Sequence, residues 1–211
     1  MNNVRVKICG VTNLSDAQHA ADCGADAIGF NFYDGSKRYI SPVLAAAIVE
    51  QVTMRVEKIG VFVNASVEEI VEIEDAIQLD TVQLHGDETP EFIENLRSES
   101  DATIIKAMGV GPDFDPNYVL GYKADAILLD AFSRDERGGT GETFDWAIAR
   151  KIVELVDQVY LAGGLTSENV AEAIRVVRPY AVDVASGVEA SPGVKDREKV
   201  VAFIKAAKEA I

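Results

Sequence analysis

A thiol and a carboxyl group stand at the ends of two predicted strands. Cys9 closes the β-rich run 4–9, and Asp130 closes the run 126–130. In folds built from parallel strands, catalytic and ligand-binding groups gather at the carboxyl ends of the strands. Lys7 shares a strand face with Cys9, and its positive charge would lower the pKa of the thiol. The pattern predicts a reactive thiol at Cys9 and a functional carboxyl group at Asp130.

Further polar side chains interrupt strands that should be almost wholly apolar. Gln83 and His85 share one face of the fourth run, Lys106 interrupts the fifth, and Asp183 interrupts the eighth. Burying an unpaired charge is costly, so the charged side chains on these strands must meet partners, water or a ligand, namely Lys7, Lys106, Asp130 and Asp183. Either they line a pocket inside the fold, or they form a structural ion-pair network. Cys23, at a predicted helix end, is interpreted as a packing residue.

Glycine-rich turns follow three late strands and predict an anion site. The turns are 137–141, Gly163-Gly164 and Ser186-Gly187. Glycine allows backbone N–H groups to approach a phosphate closely, and the loops after strands seven and eight form the phosphate site in many barrels. No Walker loop or complete Gly-x-Gly-x-x-Gly turn occurs, so nucleotide cofactors are not indicated. Arg38, after the second strand, is either a carboxylate ligand or a solvated loop charge.

The elements that must position these groups alternate between strand and helix. Short β-rich runs recur every 20 to 30 residues, and helical periodicity fills the intervals. The predicted strands are 4–9, 27–32, 58–63, 81–84, 103–108, 126–130, 159–162 and 181–185. Eight such units in 211 residues predict an α/β fold, a single-domain (β/α)₈ TIM barrel over residues 1–211. The rival is an open doubly wound sheet, which would leave edge strands to protect.

Several helix ends are readable from capping residues. Ser15 is expected to cap a first helix that stops at Cys23, and Ser41 with Pro42 opens the second. The segments 64–66 and 166–168 are expected to lead into helices at 67 and 169, and the last helix is expected at 199–208.

The overall charge and composition limit the kinds of partner that the protein is expected to bind. The net charge of -15 argues against nucleic acid, because phosphate backbones are bound by clustered Lys and Arg. No run reaches the roughly 18 apolar residues of a membrane span, and no secretory signal precedes the first strand. The sequence therefore predicts a cytoplasmic protein without a membrane partner. Two cysteines without paired His or Cys spacing predict neither a zinc site nor a structural disulfide.

Taken in order, these motifs closely resemble the phosphoribosylanthranilate isomerase family of tryptophan biosynthesis. The likeness spans nearly the whole chain, which makes it more specific than any single motif. The matching segments are 7–12, 29–32, 36–39, 60–63, 82–86, 129–130, 138–141, 144–146, 162–165, 186–189 and 192–196.

The resemblance implies an enzyme without metal or organic cofactor that performs an Amadori rearrangement of N-(5-phosphoribosyl)anthranilate. It implies Asp130 as general acid, Cys9 as general base and Arg38 as the ligand of the anthranilate carboxylate. The phosphate is expected at the turns Gly163-Gly164 and Ser186-Gly187.

The same resemblance implies that four polar side chains line the pocket, namely Lys7, Gln83, His85 and Asp183. A monomer or homodimer is expected. Two departures from the family pattern are mild: Ala185 replaces a common serine, and Lys37 replaces a common proline.

Two alternative functions are also compatible with the sequence. The histidine-pathway aminoaldose isomerase performs the same rearrangement on a larger ligand, but it uses paired aspartates where this chain has Cys9. A noncatalytic phosphate-ligand sensor on the same scaffold would explain the glycine turns. It would not explain a carboxyl group and a thiol at strand ends.

Overall fold

The computed structural model describes residues 4–53, 55–131 and 144–210. Eight parallel strands close into one barrel, in which each strand pairs with the next and β8 pairs with β1. The fold is therefore the predicted (β/α)₈ barrel and not an open sheet. The strands are β1 (Arg5–Cys9), β2 (Ala27–Asn31), β3 (Glu57–Phe62), β4 (Thr81–Leu84), β5 (Thr103–Val110), β6 (Ala126–Ala131), β7 (Val159–Leu161) and β8 (Ala181–Val184).

Helices on the outside of the barrel connect the strands. They are α1 (Leu14–Asp22), α2 (Pro42–Val49), α3 (Val67–Ile77), α4 (Pro90–Glu99), α5 (Trp146–Ile152), α6 (Val170–Val177) and α7 (Arg197–Lys208). Two 3₁₀ helices, Pro116–Gly121 and Ser186–Val188, follow β5 and β8. In the described part of the chain, no helix is long and apolar enough to cross a membrane.

The predicted helix starts are confirmed where Ser41 and Ser66 cap α2 and α3. The prediction for Ser15 is wrong, because Asn13 caps α1 by accepting a hydrogen bond from the Asp16 amide at 2.9 Å. Helix α7 begins at Arg197, two residues before the predicted start, since Asp196 accepts hydrogen bonds from the first turn.

The apolar core is split by the strands into two layers. The larger layer lies between strands and helices and includes Val6, Ile8 and Phe30. A smaller cluster inside the barrel includes Ile59 and Leu128. Alternate residues of a strand face opposite sides of the sheet, so the polar residues of β1 face the barrel interior, as the sequence predicts.

A short hairpin over the end of β8 is absent from the sequence prediction. It consists of β9 (Glu189–Ser191) and β10 (Val194–Lys195), which pair antiparallel. This hairpin brings two buried charged residues, Glu189 and Lys195, to the mouth of the barrel at the strands' carboxyl ends.

Candidate active site

A fully buried lysine stands at the centre of the polar interior. Lys7 Nζ donates to Asp183 Oδ1 at 3.0 Å and to Gln83 Oε1 at 2.9 Å, and its exposed fraction is 0%. Burial disfavours the charge of Lys7, but the negative charge of Asp183, assisted by the neighbouring Cys9, outweighs that cost and raises the lysine pKa. Lys7 is therefore a permanently charged group inside the barrel.

Cys9 lies half-buried beside this lysine at the end of β1. It pairs with Gly29 of β2, where an added Cβ would come within 2.8 Å of the Cys9 sulfur. Burial raises the pKa of the Cys9 thiol, and Asp183 raises it further, while Lys7 lowers it. The expected influence of Lys7 is present, but the expectation of a net lowered pKa is wrong because burial dominates.

Asp130 is the penultimate residue of β6, and its carboxyl group has one close backbone donor and one histidine nearby. Its Oδ1 accepts the Ala131 amide at 2.9 Å, and its Oδ2 lies 3.6 Å from His85 Nε2. The exposed fraction of Asp130 is 8%. His85 Nδ1 in turn lies 3.0 Å from Gln83 Nε2. The structure thus joins Lys7, Gln83, His85 and Asp130 in one continuous set of contacts.

Lys106 proves to be structural. Its ammonium donates to Glu88 Oε2 at 2.8 Å and to the carbonyl oxygens of Leu84 and Gly86 at 3.3 and 2.7 Å. These carbonyls flank His85 in the chain, so the buried pair fixes the backbone that carries the histidine. The alternative of a structural ion-pair network is correct for this lysine.

Arg38 is anchored, which excludes the solvated alternative. Its Nε and Nη2 donate to the two oxygens of Glu189 at 2.8 Å each, and only 15% of its side chain is exposed. Burial opposes the charge of Glu189, but Arg38 and Lys195 outweigh it and lower the carboxyl pKa. The guanidinium plane is thereby fixed at the barrel mouth.

Lys195 connects Glu189 to the backbone at the carboxyl ends of β1 and β8. Its ammonium donates to Glu189 at 3.0 Å and to the carbonyl oxygens of Cys9 and Ala185 at 2.5 and 3.3 Å. Sequence reasoning missed Glu189 and Lys195 as site residues. Both lie in segments that match the family pattern, but the sequence does not show that their side chains are buried.

The turns after β7 and β8 meet each other. Gly163 and Gly164 have φ of +81° and +61°, a region that favours glycine. A Cβ at Gly187 would overlap the carbonyl oxygen of Leu165, so the two turns are in direct contact. In the part of the chain that the structure describes, the turn and loop hydrogen bonds between backbone groups include none donated by the amides of 163, 164, 186 and 187. The turn 137–141 lies outside the described residues.

Cys23 lies at the C-terminal end of α1, packs against the outer core and has His19 3.6 Å from its sulfur. The structure thus separates the two cysteines, since only Cys9 reaches the barrel mouth.

Comparison with known proteins gives one consistent result. The family model described as N-(5'phosphoribosyl)anthranilate (PRA) isomerase matches residues 6–206. A relative with the same enzyme name from Pelobacter propionicus is 47% identical over 98% of this chain and 96% of its own length. The crystal structure of the Thermotoga maritima phosphoribosyl anthranilate isomerase has 46% identity and a TM-score of 0.90, covering 97% of this chain and 98% of the other.

A further solved structure is of a phosphoribosyl anthranilate isomerase in complex with reduced 1-(o-carboxyphenylamino)-1-deoxyribulose 5-phosphate. It has 45% identity and a TM-score of 0.87, covering 97% of this chain and 98% of the other. The family match, the sequence identities and the structural comparisons agree over nearly the whole length of the chain. The chain belongs to the N-(5'-phosphoribosyl)anthranilate isomerase family.

Proposed function

We propose that this chain converts N-(5-phosphoribosyl)anthranilate to 1-(2-carboxyphenylamino)-1-deoxyribulose 5-phosphate by general acid and general base catalysis. The observation that carries the proposal is the convergence of Cys9, Asp130, Arg38 and the two glycine turns at one mouth of the barrel. A proton donor, a base, a carboxylate ligand and a phosphate ligand are what this reaction requires.

Ring opening is assigned to Asp130. Its protonated carboxyl group gives a proton to the ribose ring oxygen, and the bond from that oxygen to C1 breaks. The lone pair of the anthranilate nitrogen forms the C1–N double bond, which leaves an iminium ion and an Asp130 carboxylate. The Ala131 amide at 2.9 Å is placed to stabilise the charge that develops on this carboxylate.

Proton removal from C2 is assigned to Cys9. The thiolate takes the proton, the C–H electron pair forms the C1–C2 double bond, and the iminium nitrogen recovers its lone pair. The resulting enolamine loses the proton of its C2 hydroxyl and gains one at C1 to give the ketone. Because the iminium acidifies C2, a base that is ionised only in part is sufficient, which is compatible with the raised Cys9 pKa.

Substrate binding is assigned to Arg38 and to the two glycine turns. Glu189 fixes the guanidinium plane through two N–H donors, and a guanidinium plane suits the geometry of a carboxylate. The amides of Gly163, Gly164, Ser186 and Gly187 are proposed to bind the phosphate. Amide donors would hold this dianion without a surface cluster of basic residues.

We propose that four polar side chains line the sugar end of the pocket, namely Lys7, Gln83, His85 and Asp183.

We also propose that residues 1–211 act as one cytoplasmic domain, as a monomer or a homodimer. The Thermotoga maritima isomerase is described as dimeric. Sedimentation equilibrium at working concentration decides between the two states.

A fluorescence assay tests the proposed reaction, because the anthranilate ring reports consumption of the substrate. The purified protein is expected to turn over freshly made phosphoribosylanthranilate. The control is a Cys9→Ala, Asp130→Asn double variant, purified in parallel from a host that lacks its own isomerase. Equal rates for the protein and the double variant would show that the assigned reaction is wrong.

A further inference from the structure

Four polar side chains contact one another in order across the site, from Lys7, which lies beside Cys9, to Asp130. Lys7 contacts Gln83 at 2.9 Å, Gln83 contacts His85 at 3.0 Å, and His85 Nε2 lies 3.6 Å from Asp130 Oδ2. The exposed fraction of Gln83 is 1%. Its amide is therefore oriented by these two neighbours and not by bulk water.

The orientation of the Gln83 amide follows from the chemistry of lysine. An ammonium group has three donors and no acceptor, so the atom of Gln83 that faces Lys7 must be the oxygen. The amide nitrogen then faces His85. Reversing the amide would place an NH₂ group against an NH₃⁺ group in a buried site, where neither could be satisfied.

The orientation of the amide determines which nitrogen of His85 holds the proton. The Gln83 nitrogen is a donor only, so His85 Nδ1 must accept and hold no proton. A neutral imidazole with a bare Nδ1 has its proton on Nε2, the atom that faces Asp130. Protonating both nitrogens would oppose an N–H of His85 to an N–H of Gln83.

We propose that Gln83 is a positioning residue that holds His85 in the neutral Nε2–H tautomer and directs this N–H at Asp130. Its catalytic consequence depends on the proposed function. When Asp130 gives its proton to the ring oxygen, negative charge develops on its carboxylate, and the His85 N–H is placed to stabilise that charge. A donor aimed at charge that appears only during the reaction accelerates the step.

Several charged groups lie near His85. Asp130 faces Nε2, and Gln83 separates Nδ1 from the ammonium of Lys7. Lys106 and Glu88 form their own pair beneath the backbone on either side of His85. Lys7 pairs in addition with Asp183. Each cation in this group thus has a carboxylate partner other than Asp130.

Nitrogen NMR of the free protein tests the assignment directly. The chain contains two histidines, His19 and His85, so imidazole-¹⁵N labelling gives two spin systems, and a His19→Asn variant identifies which is which. At pH 7.5 the wild-type His85 is expected to show a bare Nδ1 and a protonated Nε2. A protonated Nδ1 in the wild type, with or without a proton on Nε2, overturns the proposal.

Two substitutions at Gln83 test whether this side chain sets the tautomer of His85. Gln83→Glu offers an acceptor to Nδ1, so the proton is expected to appear there. Gln83→Met removes the amide, so a mixture of tautomers is expected, with kcat about tenfold lower, KM within about twofold of the wild type and unchanged circular dichroism. The control Gln51→Glu makes the same change at an exposed position, and it is expected to alter neither readout.

An unchanged His85 tautomer in Gln83→Glu overturns the positioning role. The wild-type spectrum decides the tautomer even if both variants fail to fold. The spectra need no substrate, whereas the proposed function is tested by turnover. A wild type with the expected tautomer but no turnover would reject the reaction and leave the tautomer assignment standing.

Discussion

At the scale of single residues, the thiol of Cys9 is governed by a competition between burial and charge. Burial and Asp183 favour the neutral thiol, whereas Lys7 favours the thiolate, and the sum raises the pKa of Cys9. The free protein therefore holds most of its Cys9 as thiol at neutral pH. If Cys9 is the base, as proposed, its neutral thiol adds no negative charge to a site proposed to bind an anionic substrate.

Loss of either proposed proton-transfer group should remove most of the activity. We expect Cys9→Ala and Asp130→Asn each to lower kcat at least about a hundredfold, the size typical of a lost general acid or base. Cys23→Ala is the matched control, since Cys23 lies on α1 away from the barrel mouth. Steady-state kinetics with circular dichroism measure the effect. Near-normal turnover in either variant would exclude that residue from the mechanism.

Neutralising Asp183 should make Cys9 more acidic. The negative charge of Asp183 opposes ionisation of the thiol, so in Asp183→Asn the thiolate forms at lower pH. The rate of iodoacetamide alkylation against pH, in a Cys23→Ala background, gives the midpoint. We expect the midpoint to move to lower pH than in the parent protein. A midpoint that stays or rises would mean that Asp183 acts on Lys7 alone.

Removing the Arg38 guanidinium should weaken binding more than chemistry. Arg38→Ala is expected to raise KM at least about tenfold and to leave kcat within about threefold, because a ligand of the anthranilate carboxylate binds a group that does not react and so contributes uniform binding. Its matched control is Arg97→Ala, which removes an exposed ion pair with Asp125. An unchanged KM in Arg38→Ala would refute the assigned role.

The sequence predicted part of this site correctly for a physical reason. Lys7 was placed inside the barrel by strand parity alone, and the structure confirms that placement. The sign of the Cys9 pKa shift was wrong, because burial cannot be weighed against one neighbouring charge from the sequence. Glu189 was missed because only the folded hairpin brings it against Arg38.

At the scale of elements, two turns with little side-chain bulk form the proposed phosphate site. Gly187 packs directly against the carbonyl of Leu165, so the turn after β8 rests on the turn after β7. The amides of both turns are therefore held together by close backbone approach. The first strand is tied to the same region because Lys195 donates to the Cys9 and Ala185 carbonyls.

A single methyl group at Gly187 should separate these turns. Gly187→Ala places Cβ on the Leu165 carbonyl, so we expect KM to rise about tenfold, with inorganic phosphate becoming a weaker competitive inhibitor by a similar factor. Gly121→Ala is the control, since a Cβ there meets no atom within 4 Å. Kinetics with and without phosphate measure both effects. Equal phosphate inhibition in the two variants would place the anion elsewhere.

The sequence predicts the strands within two residues at each end, but it predicts the helix starts less well and does not predict the hairpin. Buried parallel strands leave a continuous apolar run, which is an unambiguous signal. Asn13 and Ser15 are both good capping residues, and only the path of the chain into α1 selects Asn13. The hairpin β9–β10 has a Pro-Gly turn and too few residues to show alternation.

At the scale of the whole molecule, the net charge of -15 opposes the proposed substrate, which has a carboxylate and a phosphate. The three site cations do little to cancel this field at long range, because two internal carboxylates neutralise them down to one excess positive charge. Lys7 pairs with Asp183, and Arg38 and Lys195 pair with Glu189. In the proposed binding mode, attraction begins only when the substrate reaches the guanidinium and the amides of the turns.

Added salt should therefore help binding at low ionic strength. Raising sodium chloride from about 10 mM to about 150 mM shortens the Debye length from about 30 Å to about 8 Å, which screens the distant surface charges more than the buried site contacts. We expect KM for phosphoribosylanthranilate to fall about twofold or more over this range, with kcat unchanged. Sucrose at matched osmolality is the control. A KM that rises steadily with salt would mean that exposed cations, and not the amides of the turns, capture the substrate.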